Sequence, residues 1–181
     1  MRIIAGEARG RRIRGPRGRV TRPALDQLRE SVFSILGEAV EGCAVLDLFA
    51  GAGAFGLEAV SRGAASAIFV ERDRSALLAL EHNIQDLGFA GRCRVVRADA
   101  LRFEPRGIHD LIFVDPPFAL FDDAEEPLAL VRRLERLLAS ALGPGGTLLL
   151  RIPTGSGIEL SRPAADQRTF RASTVLFFEN P

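Results

Sequence analysis

Short apolar segments alternate with helix-like patterns over most of the chain, and this alternation restricts the possible folds more than any other feature. The segments typical of buried strands are 44–49, 67–70, 94–96, 111–114 and 147–152. The clearest amphipathic spacing, typical of a helix, is that of Leu77, Leu80, Ile84 and Leu87. Strands that alternate with helices predict βαβ units, and hence an α/β fold with a mostly parallel sheet and helices on both faces.

Proline and glycine residues mark the limits of other elements. Pro23 suits the first turn of a helix that Gly37 ends. Shorter and longer helices are predicted over Leu57–Ser61 and from about Asp123 to Ala141. Towards the C-terminus we expect a turn at 143–146, a last strand over 174–178, and a strand that pairs with it somewhere within 158–170.

The segment Leu111 to Phe118 joins a buried strand to an unusual carboxyl end, Asp115-Pro116-Pro117-Phe118. Proline cannot donate to a ladder, so the chain must leave the sheet there. Ligands of open α/β sheets bind outside the carboxyl ends of strands. The Asp115 carboxylate and the Pro116 carbonyl can accept both N–H bonds of an exocyclic amine on a base, while Phe118 offers a ring for stacking. The alternative is a turn that only ends the strand.

A glycine loop follows the first predicted strand. Gly51, Gly53 and Gly56 have the G-x-G-x-x-G spacing that brings a nucleotide-type ligand close to the backbone. Asp47 lies within the strand, four positions before Gly51, and a buried carboxylate needs a partner. The amino group or sulfonium of S-adenosylmethionine is a natural partner. An Asp that only caps loop amides is the alternative.

Two further acids end the next two strands. Glu71 follows the second strand, 20 residues after Gly51, where a carboxylate can accept both ribose hydroxyls of an adenosine. Asp99 follows the third strand, where it can accept from the adenine amino group. Together with Asp47 they favour an adenosine-containing ligand, and Asp115 to Phe118 favours S-adenosylmethionine over a dinucleotide.

Positive charge is concentrated at the N-terminus, although the net charge is only +1. All 24 basic residues are arginine, and eight of them lie between Arg2 and Arg22 against one acid, Glu7. Dense arginine suits bidentate contact with phosphates, so residues 1–22 are predicted to form a basic RNA-binding arm, with a possible short hairpin, ahead of a methyltransferase domain at 23–181. A solvated basic tail is the alternative. The arginines assigned to RNA are Arg9, Arg11, Arg12, Arg14, Arg17 and Arg19.

Other classes of protein receive little support. The apolar segments are far shorter than a bilayer span, and arginines replace the apolar core of a signal peptide, so we expect a cytoplasmic protein. Cys43 and Cys93 lack metal-ligand spacing, and His82 and His109 have no nucleophile motif to serve. No metal is expected.

At this point the sequence resembles a known family of Rossmann-like methyltransferases that act on exocyclic amines. The start of the chain narrows the resemblance to the RsmD family, which methylates the N2 amine of a guanine in 16S ribosomal RNA. The residues that carry it are Leu46 to Gly53, Asp115 to Phe118, Met1 to Gly6, Arg9 to Arg11, Thr21 to Pro23, Asp26, Arg29, Glu30 and Phe33.

The resemblance implies a seven-stranded sheet, S-adenosylmethionine as methyl donor, and 16S ribosomal RNA within an assembling small subunit as substrate. We expect a monomer. The cofactor residues it implies are Asp47, Gly51 and Gly53 for the methionine part, Glu71 for the ribose, and Asp99 and Ala100 for the adenine, with Thr21 and Arg22 beside the methionine end. Ala50 and Arg72 complete the predicted cofactor-binding set. Asp115, Pro116, Pro117 and Phe118 are implied as the catalytic residues.

The chain departs from the family pattern at three places. Ala24 and Leu25 follow Pro23 where two threonines are usual, and Arg171 follows Phe170 where a glycine is usual. Arg151 follows the fifth strand where family members often have an acid. The main hypothesis is an RNA guanine-N2 methyltransferase. The alternatives are a methyltransferase for another amine, such as a DNA or RNA adenine or a protein glutamine, and a catalytically silent RNA-binding module.

Overall fold

The structure, a computed structural model, describes residues 1–15, 23–122 and 125–181. The α-helices are α1 (Pro23–Leu36), α2 (Ala54–Ser61), α3 (Arg74–Leu87) and α4 (Glu126–Ser140). The strands are β1 (Ala44–Leu48), β2 (Ser66–Glu71), β3 (Cys93–Arg97), β4 (His109–Val114), β5 (Leu142–Pro153), β6 (Asp166–Phe170) and β7 (Ser173–Glu179). Short 3₁₀ helices occupy Gly37–Val40 and Phe118–Phe121.

All seven strands form one sheet in the order β3-β2-β1-β4-β5-β7-β6. The pairs among β1 to β5 are parallel, and β7 runs antiparallel to both of its neighbours. The chain builds outward from β1 to β3 and then returns to place β4 on the other side of β1. The carboxyl ends of β1 and β4 therefore flank a topological switch point, where open α/β sheets bind their ligands. The predicted seven-stranded, mostly parallel sheet is confirmed.

Helices cover both faces of the sheet, because the buried strands are apolar on both sides. Phe69 and Phe113 point to one face, where they join a core with α1, α2 and α3. Ile112 and Leu148 point to the other face and pack with Leu134 of α4. Each face thus has its own apolar core, and the sheet between them holds the strand ends in fixed register.

Local signals explain where the helices begin and end. Asp73 caps α3 by accepting the Ala76 N–H at 2.8 Å, and Gly88 ends that helix in the left-handed region at φ 78°. The helix after the glycine loop begins at Ala54, three residues before the predicted start at Leu57. Its first turn therefore follows Gly53 directly, which brings its N-terminus to the switch point.

The N-terminal segment packs against the domain over the part that the structure describes. Arg2 and Arg12 form an isolated antiparallel bridge, while Ile3 and Ile13 are buried in the core that α1 to α3 share. The bridge agrees with the possible hairpin, and the two isoleucines face the core while the side chains of Arg12 and Arg14 are exposed. The boundary at residue 22 stays a prediction, because residues 16–22 lie outside the described part.

A buried acid holds this segment to α2. Glu58 is fully buried, and its carboxylate accepts the N–H groups of Ile4 and Ala5 at 2.8 and 3.0 Å. It also accepts the Arg62 Nε at 2.8 Å. A buried carboxylate is stable only when it is paired and hydrogen-bonded, so Glu58 fixes the N-terminal segment against α2, the helix that follows the glycine loop.

The predicted turn at 143–146 is wrong. These residues belong to β5, where the register against β4 shifts between His109 and Leu111. The glycines permit this irregularity, and the Gly145 N–H donates to the Asn180 carbonyl oxygen at 2.6 Å. At the sheet edge the predicted partner of the last strand is found as β6. Within the described ranges, no helix has the length and apolar character needed to cross a membrane.

Candidate active site

The glycine loop after β1 is shaped by backbone conformation and by close packing. Gly51 and Gly53 have φ angles of 56° and 86°, in the left-handed region that favours glycine. A Cβ on Gly56 would lie 2.3 Å from the Phe69 ring, so only glycine lets α2 approach β2 this closely. A Cβ on Gly51 would meet nothing within 4 Å. The loop therefore presents bare backbone to open space while Gly56 fixes the helix behind it.

Asp47 lies beneath this loop, behind the residues that line the cleft. Its side chain is 1% exposed, and Oδ2 accepts the Gly56 N–H at 2.9 Å. Burial raises the pKa of Asp47 to about 8, and the nearby carboxylates of Asp115 and Glu71 add to the rise. The Asp47 carboxyl group thus has a partner within the protein and orients the glycine loop from behind, in agreement with the capping alternative. Its assignment to the cofactor stays a prediction.

Glu71 connects the end of β2 to the same loop. Oε2 accepts the Gly51 N–H at 2.8 Å, and Oε1 accepts the N–H groups of Arg72 and Asp73 at 2.7 and 2.8 Å. Three backbone donors thus fix one half-buried carboxylate on the wall of the cleft. An acid held in this way can accept hydroxyl groups without having to reorient.

Asp99 and Ala100 follow β3 on the same side. Asp99 Oδ1 accepts the Leu101 N–H at 3.1 Å, and Oδ2 lies 3.5 Å from an Arg72 guanidinium nitrogen. Ala100 is 3% exposed and also lines the cleft. Arg72 and Asp99 therefore join the ends of β2 and β3, the neighbouring strands that sequence reasoning assigned to ribose and adenine.

The Asp115 to Phe118 segment leaves the sheet at the end of β4, across the switch point from the glycine loop. Pro116 is buried, Pro117 is exposed, and Phe118 begins a 3₁₀ helix. The Phe118 ring meets the Phe121 ring edge-on, with centroids 6.5 Å apart. The four residues predicted to act on the target base thus form one continuous edge of the site.

Arg151 is the partner of Asp115, and sequence reasoning did not assign it to the site. Its Nε donates to Asp115 Oδ1 at 2.5 Å, and its guanidinium carbon lies 4.7 Å from the Phe118 ring centroid. Burial raises the pKa of Asp115, and the Arg151 charge opposes that rise. The sequence signal was an unusual arginine near the end of the fifth strand, and its partner after β4 is 36 residues away.

Two more residues of the cleft wall escaped prediction. Phe49 has a φ of 58°, a left-handed conformation that is uncommon for an aromatic residue. Such an outlier costs on the order of 1–3 kcal/mol and persists where the surroundings impose it. Met1 also lines the cleft, because the N-terminal segment packs beside the glycine loop. Neither residue carries a local signal of this placement.

The basic segment is described only as far as residue 15. Arg9, Arg11, Arg12 and Arg14 are exposed there. Arg11 donates to the Asp86 carbonyl oxygen, so one of these side chains is tied to α3. The predicted residues Arg17, Arg19, Thr21 and Arg22 lie outside the described residues.

The glycine loop and the residues at the ends of β2, β3 and β4 surround one open cleft of about 1320 Å³ along the carboxyl ends of the parallel strands. Its wall includes Gly51, Glu71, Asp99, Asp115 and Arg151. Acids at the carboxyl ends of β2, β3 and β4 therefore face a space that extends from the glycine loop to Asp115, Pro116 and Pro117. The fold and this switch-point cleft define a Rossmann-like protein of the methyltransferase class.

Comparisons with known proteins narrow the class to a family. The model of the family described as Conserved hypothetical protein 95 matches residues 1–150. The chain belongs to this family, the RsmD family that the sequence resembles.

A relative and two solved structures are similar to the chain. Ribosomal RNA small subunit methyltransferase D of Escherichia coli (strain K12) is 43% identical over 120 residues, which are 65% of this chain and 60% of that protein. The structure of yhhF from Escherichia coli has a TM-score of 0.83 at 31% identity, over 99% of this chain and 97% of that one. A 16S rRNA N2 guanine methyltransferase of Thermus thermophilus, in complex with AdoMet and guanosine, has a TM-score of 0.66 at 25% identity. The match covers 91% of this chain and 44% of that one.

Proposed function

We propose that the protein transfers a methyl group from S-adenosylmethionine to the exocyclic N2 amine of a guanine in 16S ribosomal RNA. The observation that carries this proposal is the placement of Asp115, Pro116 and Pro117 across the switch point from the glycine loop, in one cleft with Glu71 and Asp99, with Phe118 next in the chain. Small-subunit methyltransferase D of Escherichia coli and the guanosine complex from Thermus thermophilus support it by similarity.

The cleft suits S-adenosylmethionine in both shape and charge. Ala50 and the bare backbone of Gly51 would lie along the methionine part, while Gly53 turns the loop towards α2 and Asp47 holds the loop from behind. Glu71 would accept the ribose hydroxyls, and Asp99 with Ala100 would meet the adenine. The cofactor supplies a methyl group activated by a sulfonium. The acids that ring the cleft are the residue type that a cationic ligand needs.

The target end of the cleft would hold the amine. An exocyclic amine is a poor nucleophile, because its lone pair is delocalised into the ring. In this proposal the Asp115 carboxylate and the Pro116 carbonyl accept its two N–H bonds and thereby localise the lone pair on nitrogen. Burial raises the pKa of Asp115, which also makes its carboxylate a better acceptor for the proton that the nitrogen must lose.

Binding of the RNA would use stacking and charge. Phe118 offers its ring to a base that has left its stack, an interaction of about 1–3 kcal/mol per base. The exposed Arg9, Arg11, Arg12 and Arg14 would contact phosphates beside the cleft. The substrate in this proposal is the RNA of an assembling small subunit, and the enzyme acts as a monomer.

A methyl-transfer assay tests the proposal directly. Tritiated S-adenosylmethionine is incubated with the protein and with naked 16S RNA, assembled small subunits, or duplex DNA, and the labelled base is then mapped. We expect label on guanine N2 of the ribosomal RNA. Label on adenine, label on DNA, or no transfer to any ribosomal RNA in the presence of bound cofactor would each overturn the proposal. Assembled subunits and naked RNA together show which form is the substrate.

A further inference from the structure

Arg151 contacts both groups that would bind the target base in the proposed function, the Asp115 carboxylate and the Phe118 ring. Its Nε donates to the Asp115 carboxylate at 2.5 Å, and its guanidinium lies 4.7 Å from the Phe118 ring centroid, within the range of a cation–π contact. Its side chain is only 18% exposed. The amine acceptor and the stacking ring are therefore both engaged by one side chain of the protein itself.

The fold fixes the backbone of Arg151 but leaves its side chain able to move. Leu150 pairs with Val114 of β4, which places Arg151 beside Asp115 at the next position along the two strands. On its other side Arg151 pairs with Val175 of β7. Because β5 is held by a neighbour on each side, only rotation of the long side chain can release the carboxylate.

A guanidinium group and the amine edge of guanine are chemically alike. Both are planar, and both present adjacent N–H donors around one carbon atom. In guanine these donors are the ring N1–H and the exocyclic N2–H, whereas adenine has an amine beside a ring acceptor. A carboxylate and an aromatic ring that hold a guanidinium can therefore hold a guanine edge, and the same carboxylate oxygen cannot serve both groups at once.

We propose that Arg151 fills the base-binding site in the free protein and that the target base enters by displacing it. Arg151 thereby acts as a specificity-determining residue, since only a base that donates to Asp115 and stacks on Phe118 replaces both of its contacts. This inference rests on the proposed function for the identity of the target base. It assigns Arg151 no part in the methyl transfer itself.

Nucleoside binding provides the test. Guanosine and adenosine are titrated by calorimetry into protein saturated with S-adenosylhomocysteine, which blocks turnover and fills the cofactor site. Removing the competitor in Arg151→Ala should tighten guanosine binding about fivefold to tenfold, the scale of a partly exposed ion pair plus a cation–π contact. Adenosine should gain less. Unchanged or weaker guanosine binding in this variant would overturn the inference.

Two further variants control for fold and for charge. Arg168→Ala removes an arginine of similar type, paired with Asp166 at 2.9 Å on β6, and should bind guanosine as the wild type does. Arg151→Lys keeps the charge but loses the planar fork, so it should fall between wild type and Arg151→Ala. If Arg151→Ala fails to fold, as its melting curve would show, Arg151→Lys alone decides: wild-type guanosine affinity in that variant contradicts the inference.

The test separates this inference from the proposed function. Guanosine binding needs no methyl transfer, so a wild-type protein that methylates no ribosomal RNA would defeat the proposed function and still report on Arg151. Conversely, a wild-type enzyme that methylates guanine N2 while its Arg151→Ala variant shows unchanged guanosine affinity defeats only the present inference. In the active enzyme, displacement predicts a lower KM for RNA in Arg151→Ala without a matching rise in kcat.

Discussion

The two ends of the cleft hold their carboxylates in different ways. At the end proposed for the cofactor (the cofactor end), Glu71 accepts the backbone N–H groups of Gly51, Arg72 and Asp73. Asp99 accepts that of Leu101, and Asp47 accepts that of Gly56 beneath the loop. At the end proposed for the target base (the target end), Asp115 accepts from the Arg151 side chain. Backbone donors are anchored in the fold, whereas a side-chain donor can rotate away.

Under the proposed function, this difference suits a cleft that takes two ligands of different kinds. A small cofactor gains affinity from a site whose groups are already in place, because little conformational freedom is lost on binding. A base within a large RNA must first be extracted from its stack, at a cost of a few kcal/mol. If Arg151 occupies the target end until a suitable base replaces it, other groups are excluded from Asp115 in the meantime. We therefore view the cofactor end as preformed and the target end as exchangeable.

The largest effect should come from Asp115→Asn. This variant keeps the size of the side chain but loses the charged acceptor, so we expect the rate of methyl transfer to fall about 10²–10³-fold. Affinity for S-adenosylmethionine should stay within about twofold of wild type, since the cofactor end keeps its backbone-held acids. Single-turnover kinetics and calorimetry measure the two quantities.

A matched control for this variant is Asp166→Asn, which changes an acid of β6 that is paired with Arg168. It should leave both quantities unchanged. If Asp115→Asn weakened cofactor binding as much as it slowed transfer, the two ends of the cleft would not be separable.

Glu71→Gln is the corresponding change at the cofactor end. The amide would turn an N–H₂ group towards backbone donors that the carboxylate now satisfies on both oxygens. Hydrogen bonds to charged groups contribute about 1.5–3 kcal/mol each, so we expect S-adenosylmethionine to bind about 10–100-fold more weakly. The rate at saturating cofactor should fall far less than in Asp115→Asn.

Glu81→Gln, an exposed acid on α3, is the control for this variant and should bind cofactor normally. A fall in rate at saturating cofactor as large as that of Asp115→Asn would contradict the separation of the two ends.

The sequence predicted the cofactor end better than the target end, for a physical reason. The strands β1 to β4 each end at, or within three residues of, a glycine or an acid. Local pattern therefore locates these strand ends, and the switch point brings them together. The hydrogen-bond partner of Asp47 could not be predicted from local sequence. A buried acid needs a donor, and nothing in the strand distinguishes the Gly56 amide from a ligand. The Arg151–Asp115 pair depends on β4 and β5 being neighbours in register.

The N-terminal segment shows the same limit. Its arginines predict contact with phosphate, but the burial of Ile3 and Ile13 against the domain depends on tertiary packing that short apolar segments do not reveal. Likewise, Gly143 and its neighbours resemble a turn, although the sheet uses them for an irregularity between β4 and β5. Glycine is typical both of turns and of irregularities within strands, so its presence alone does not distinguish them.

A smaller effect is expected from the arginines outside the cleft. Deleting the segment would also remove Ile3 and Ile13 from the core, so charge removal by Arg9→Gln with Arg12→Gln is the cleaner change. Affinity for 16S RNA should fall several-fold, and the slope of log K against log salt should flatten by about 0.7–0.9 per lost phosphate contact. Filter binding at several salt concentrations measures the slope.

The control for this pair is Arg106→Gln, an exposed arginine before β4. It should leave the slope unchanged. An unchanged slope in the Arg9 and Arg12 variant would remove these two residues from the RNA-binding surface and leave the described part of the cleft to bind RNA without them.

The smallest effect concerns Asp47, the most deeply buried of the site's acids. Because its pKa is raised to about 8 in the folded protein from an ordinary value of 3.8, the folded state binds more protons than the unfolded state between these values. The stability that protonated Asp47 contributes is therefore complete below about pH 4 and is lost as the pH rises through about 8. Asp47→Asn keeps an oxygen for the Gly56 N–H and cannot ionise, so it should remove this loss.

We expect Asp47→Asn to raise the melting temperature more at pH 8 than at pH 5, because the wild type loses this stability progressively between about pH 4 and pH 8. Calorimetry of wild type and variant at the two pH values measures this difference, and the pH 5 pair is the internal control. A variant that melts lower than wild type at both values would mean that the carboxylate charge itself organises the loop. The cofactor end would then depend on charge as the target end does, and the contrast between the two ends would rest on the Glu71 and Asp99 contacts alone.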